Sequence, residues 1–272
     1  MATAAGKKRA SPGAEEQKSL FQVDNSEETA KKLESIGNDI LRIEIANDRE
    51  GHKRLLPVYV KRRELLKTIP KFWPVALMNN TPFAIHVQHV EDQKALLSLT
   101  DVWLERDSIE HRSFTLEFHF GENPYFSDEV LKKVYKFIPP PAAKDETPDE
   151  HGITDSMLDF DWERDVEPQA IKINWKSESV NLSKQHPRVI EDGEVSEPGS
   201  FFNFFEEKDD PFDIGLVIAN DIYPEVVDWY QGKAGDQDID ISDEEDSEED
   251  DDDDEADEID LEKPEPKKQR RT

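Results

Sequence analysis

SEETAKKLESIGNDILRIEIANDREGHKRLLPVYVKRRELLKTI, residues 26–69, is the stretch on which the fold turns. Leu33, Ile36, Ile40 and Ile43 step by three and four, and Leu55, Val58, Leu65, Leu66 and Ile69 resume the stripe after a polar gap at 47–54. That spacing lines apolar side chains along one face of a helix, with Ser26 and Thr29 as a weak amino-terminal cap. Unbroken over 44 residues, the helix would run about 66 Å at the usual rise per residue. That is longer than a small domain is wide, so the rest of the chain cannot cover the whole stripe. An antiparallel second copy is the simplest cover, with Leu33, Ile36, Ile40, Ile43, Leu55, Val58 and Leu65 as its contacts. Gly37, Gly51 and Pro57 work against continuity, the glycines through backbone entropy and the proline through its missing N–H. Two shorter helices packed within one monomer would satisfy the same pattern.

Downstream, Pro70 to Pro74 closes the helix and Asn79-Asn80-Thr81-Pro82 reads as a turn. Residues 85–98 read as a helix leading into a sheet. Residues 100–107 and 113–120 alternate with period two, Phe114, Leu116, Phe118 and Phe120 most clearly, and 107–111 between them suits a hairpin turn. Residues 134–138 and 170–176 (Ile171, Ile173, Trp175) read as two further strands. The expected fold is α+β, a four-stranded antiparallel meander with one face covered by helices. Between the last two strands, residues 139–167 hold ten acids, two bases and three consecutive prolines, an acidic insertion on a sheet edge. Residues 184–198 read as a second polar loop. Ser200 to Phe205 and Ile214 to Tyr230 form aromatic helices able to lid the sheet. Residues 1–25 have little to bury and read as disordered, and past Gly232 nothing can form a core.

The 272 residues carry a formal charge of −30, unevenly spread. Asp236 to Glu262 hold 19 acids and no Lys or Arg, while Lys263 to Thr272 hold five bases and one acid. Removing the tail's −19 and the end's +4 from −30 leaves −15 on residues 1–235. Such an excess resists DNA phosphates and anionic lipid and attracts basic partners. There is no cysteine, which excludes a disulfide framework, a thiolate zinc site and a cysteine nucleophile. No apolar run approaches the roughly 20 residues that span a bilayer. Lys7-Lys8-Arg9 has no apolar stretch behind it and is not a secretory signal. A soluble intracellular protein is expected.

Five segments, in order, resemble the nucleosome assembly protein family, in its SET / template-activating-factor branch. They are Lys61 to Leu65 with Ile69-Pro70-Lys71-Phe72-Trp73; Phe118-His119-Phe120-Gly121-Glu122-Asn123-Pro124-Tyr125-Phe126; Ile173-Asn174-Trp175-Lys176; Ser200 to Phe205; and Asp221-Ile222-Tyr223-Pro224. Pro57 also falls where that branch has a proline. The resemblance covers about residues 26–232 together with the acidic tail. It implies a homodimer through the long helix (26–69), two "earmuff" domains (70–235) in a headphone shape, and core histones as partners on a concave acidic underside. The insertion at 139–167 departs from the animal pattern, being longer and more acidic. The short tail with a basic end is closer to fungal members, some of which also partner a histone acetyltransferase. A regulatory subunit that modulates a histone acetyltransferase or a protein phosphatase is therefore a second reading. The first is a non-enzymatic histone chaperone for nucleosome assembly and disassembly, without specific DNA binding.

The tail, 236–262, spaces its charges about 5 Å apart when extended, against one per about 1.7 Å in duplex DNA. It could shield basic histone surfaces and still lose them to DNA; a merely solubilising tail has the same composition. Specific binding is expected from the folded domain, with Glu206, Glu207, Asp209, Asp210, Asp221, Glu225 and Asp228 as the set. Each alone could be an ordinary exposed acid. In the basic end, 263–272, Lys267, Lys268, Arg270 and Arg271 suit a nuclear-import signal, hence nuclear localisation with shuttling; they could also fold back on the acidic tail. Ser242 and Ser247 precede runs of acids, the context acidophilic kinases prefer. His86 and His89, three apart on an expected helix, lack a third ligand. With no nucleophile elbow and no phosphate-cradling glycine loop, neither a catalytic site, a metal nor a cofactor is expected.

Overall fold

The computed structural model describes residues 26–235. The segments 1–25, 236–262 and 263–272, with Ser242, Ser247, Lys267, Lys268, Arg270 and Arg271, lie outside the described residues. The apolar stripe forms one helix, α1 (Glu27–Leu66), 40 residues long and capped by the Ser26 side chain, which accepts from the Thr29 N–H. It passes through Gly37, Gly51 and Pro57 without a break, so the two-helix alternative does not form. From Leu41 onward one side of α1 is partly covered by the chain's own domain, and such packing outweighs the local penalties at Gly51 and Pro57.

Three short helices lead on: α2 (Phe72–Asn79), α3 (Thr81–Ala84) and α4 (Val90–Leu96) stand before the sheet. The expected helix over 85–98 is therefore shorter, and His86 and His89 lie ahead of it. The sheet is β1 (Leu99–Arg106), β2 (Phe114–Phe120), β3 (Val130–Phe137) and β4 (Val166–Gln169), antiparallel in the order β1-β2-β3-β4. Pairs such as Val102 with Phe118 and Phe118 with Leu131 set the register that puts alternate residues on one buried face.

The fourth strand is not where alternation placed it. Residues 170–176 run beyond the ladder, and only Trp175 bridges, to Phe126. Their backbone bonds go elsewhere: Ile171 N–H donates to Phe205 O at 2.8 Å and Lys176 N–H to Tyr125 O at 2.8 Å. Ile171, Ile173 and Trp175 alternate because the segment straps the aromatic layer on one side, with Trp175 edge-on to Phe202 at 5.6 Å. The true strand contains Pro168, tolerated because β4 is an edge.

The remaining α-helices and strands are α5 (Asp155–Leu158), α6 (Trp162–Asp165), α7 (Leu182–Gln185), β5 (Val189–Glu191), β6 (Glu194–Glu197), α8 (Asn203–Glu206), α9 (Ile214–Leu216), which continues as a π-helix over Val217–Ile222, and α10 (Val226–Gln231). Residues 189–197, expected as loop, form a hairpin whose Asp192-Gly193 corner has φ of 53° and 86°. That is the two-residue turn that matches strand twist. The insertion is not a free loop either. It carries α5 and α6, its last two residues already belong to β4, and Ile153 and Met157 bury Ile45 of α1.

One face of the sheet meets α8, where Phe118 packs edge-on to Phe205 at 5.1 Å. The carboxyl-terminal end of α1 lies on the other face. There Arg63 donates to Asp101 at 2.5 Å, meets His119 at 3.0 Å and covers the Trp103 ring at 4.6 Å. Leu66, Phe72 and Trp73 then enter the main core.

Candidate functional site

The seven acids expected to bind a basic partner fall on two stretches, 206–210 from the last residue of α8 onward and 221–228 running into α10. The first stretch is pinned to the sheet from below. Lys133, on the core face of β3 and fully buried, donates to Glu207 O at 2.7 Å and Lys208 O at 2.9 Å. Burial pushes its ammonium down to about 8. Tyr135 donates to the Asp210 carboxylate, which also accepts from Ile214 N–H at 3.1 Å and Gly215 N–H at 2.8 Å. Burial first, and the Asp210 charge second, raise the Tyr135 phenol. A Cβ on Gly215 would sit 1.9 Å from that phenol oxygen, so the close approach requires glycine.

The set therefore divides. Glu206 accepts from Ile173 N–H at 3.2 Å and from Trp175 Nε1 at 3.3 Å. Glu207 pairs with Arg188, and Asp221 accepts from the buried Asn80 amide at 2.8 Å. With Asp210, these four carboxylates hold the fold. Asp209, Glu225 and Asp228 are exposed. Such an arrangement offers fixed negative charge on a packed aromatic base. Among the described residues no group of three or more His, Asp or Glu is placed to hold a metal. His86 lies against Phe212 at 4.5 Å, and His89 stacks on His186 at 3.7 Å.

The match to the family model for nucleosome assembly protein extends over residues 7–233, most of the chain. The chain belongs to the nucleosome assembly protein family. Protein SET of Drosophila melanogaster is 29% identical over 222 residues, covering 79% of this chain and 74% of the fly protein. Nucleosome assembly protein 1-like 1 of Xenopus tropicalis is 30% identical over 199 residues, 65% of this chain but only 49% of the frog protein. The solved structure of a Ccp1 mutant superposes with a TM-score of 0.57 at 21% identity, covering 76% of this chain and 95% of that one, a likeness of fold.

This member of the nucleosome assembly protein family leaves the stripe of α1 open. Leu33 is 63% and Leu65 62% exposed, and Ile36, Ile40, Ile43, Leu55 and Val58 are also exposed. Among the described residues, no helix is long and apolar enough to cross a membrane. Sequence reasoning missed a second acidic contact. Asp149 of the insertion accepts from Arg42 at 2.9 Å, Asp155 pairs with the same guanidinium, and Arg49 donates to the carbonyls of His151 at 3.2 Å and Gly152 at 3.5 Å. The signal was available: two arginines seven residues apart on a helix, facing a segment with ten acids.

Proposed function

We propose that this protein is a histone chaperone. It dimerises through the open stripe of α1, holds core histones on fixed acids of its folded domain and releases them to DNA. The observation that carries this reading is the exposed trio Asp209, Glu225 and Asp228, on a scaffold of the nucleosome assembly protein family whose whole chain bears −30. Their stretches are held by bonds to the buried Lys133, Tyr135 and Asn80, so the backbone that presents the carboxylates is ordered before binding. The tail adds fast encounter and a weak multivalent hold. The basic end directs nuclear import in this reading.

Core histones titrated into the full chain at about 150 mM and about 500 mM salt, between which the screening length falls by roughly half, with mass followed by light scattering, test it. A dimer holding histones in a fixed ratio at the higher salt is expected. Joint replacement Asp209→Lys, Glu225→Lys, Asp228→Lys is expected to weaken binding at least tenfold, and deletion of 236–262 less. Binding that vanishes with the tail alone would remove the folded domain from the mechanism and leave the enzyme-regulator reading.

A further inference from the structure

Between the middle of α1 and the β1–β2 turn lies a cavity of about 390 Å3, within the usual range of small-ligand sites. Its apolar lining is Leu56, Tyr59, Leu104 and Tyr223. Its polar wall is Arg49, Lys53, Arg106, His52 and His111, an unexpected concentration of basic groups in a protein of charge −30.

Two of these cations have no carboxylate partner. Arg106 donates to His111 O at 3.1 Å, Ala219 O at 3.2 Å and Asn220 Oδ1 at 2.7 Å. Arg49 donates to the two insertion carbonyls and, at 3.8 Å, to the Met157 sulfur. In both, the buried Nε has no hydrogen-bond partner, and neither has Nδ1 of His111, a residue only 5% exposed. These three nitrogens are themselves enclosed, so what the cavity meets is the charge of two guanidinium groups that no carboxylate neutralises. The two acids on the wall are already engaged. Glu50 takes Arg54 at 2.9 Å, and Asp107 accepts from Ile109 N–H and Glu110 N–H, each at 2.8 Å.

We propose that this cavity is a binding site for an apolar carboxylate, its hydrocarbon body on Leu56, Leu104 and the two tyrosines and its charge on the Arg49–Arg106–His111 wall. A single negative charge suits the wall better than a phosphate dianion, because Glu50 and Asp107 still stand at its edge. The site is opposite in charge to the histone surface and independent of it. A free alkyl or aryl acid and an apolar side chain beside Asp or Glu in a peptide present the same chemistry.

The test uses the full chain with its leucine methyl groups labelled for NMR. The probes are 4-phenylbutyrate, 4-phenylbutylamine, and a capped Glu-Leu-Asp peptide. Phenylbutyrate is expected to shift the Leu104 methyls and saturate on the order of 1 mM, as a dozen non-hydrogen atoms allow, while the amine does not. Leu56→Asp, at a half-exposed position, is expected to weaken binding at least tenfold by placing a rival carboxylate at the wall; Arg106→Gln should do the same. Binding of the peptide as well assigns the site to a protein partner, and binding of the free acid alone assigns it to a small molecule. Acid and amine binding alike, neither carboxylate shifting Leu104, or unchanged affinity in Leu56→Asp overturns the proposal.

Discussion

The two faces of α1 share a backbone and do opposite things. The inner face carries Ile45, Arg49, His52, Tyr59, Arg63 and Leu66, all covered or half covered by the chain's own domain. Its contacts mix apolar packing with guanidinium groups aimed at carbonyls and carboxylates. The outer face, Leu33, Ile36, Ile40, Ile43, Leu55, Val58 and Leu65, is apolar and exposed. A helix of 40 residues spans about 60 Å, more than one domain can cover, so the two faces need two different covers. The inner is satisfied within the chain; the outer is left without a cover in it, and in the proposed dimer a second copy supplies one, since isolated exposed apolar residues are ordinary and a long aligned stripe is not.

The largest effect is expected on the outer face. Ile40→Asp with Val58→Asp should raise the dimer dissociation constant by a thousandfold or more, about 4 kcal/mol, and light scattering should report a monomer whose earmuff remains folded. An unchanged mass would show that the stripe is not the dimer contact. On the inner face, Ile45→Ala removes packing against Ile153 and Met157 and should cost about 2–4 kcal/mol locally. Faster amide exchange at residues 153–157, with the dimer intact, is the expected record; equal loss of both would mean the faces are not separable.

Acid should loosen the inner face selectively. Burial lowers His111 from 6.5 to about 4, and burial also lowers His52, whose rings lie 5.4 Å apart. The folded state resists protonation, so stability from these groups is complete above pH 6.5 and falls as pH drops from there towards 4. Urea midpoints from pH 7 to 4 should decline less in His111→Gln than in the parent chain; parallel declines would assign the acid sensitivity to carboxylates elsewhere. Smallest is Gly37→Ala, on an exposed turn with nothing within 4 Å of an added Cβ. It should stabilise α1 by up to about 1 kcal/mol through helix propensity, read as a small rise in melting temperature. A fall would reveal a close partner at that turn.

What the sequence determined by itself is what depends on neighbours a few residues away or on the whole chain at once. The three-and-four spacing from Leu33 to Leu65 is enough for a helical stripe, though not to choose one helix over two, and the alternation from Phe114 to Phe120 is enough for β2, because each reports one apolar side of a regular element. The same local rule misled at Ile171, Ile173 and Trp175, where a one-sided apolar segment turned out to be a strap, its backbone bonded to Phe205 and Tyr125. Net charge and five ordered motifs led to the family, yet they could not sort its acids. Glu206, Glu207, Asp210 and Asp221 look identical in sequence to Asp209, Glu225 and Asp228. Only the tertiary structure separates them, because their partners Trp175, Arg188, Tyr135 and Asn80 stand 19 to 141 residues away. A carboxylate's role is set by what the folded chain brings within about 3 Å. The docking of the insertion on Arg42 and Arg49, and the basic cavity beneath α1, arise from the same long-range closure.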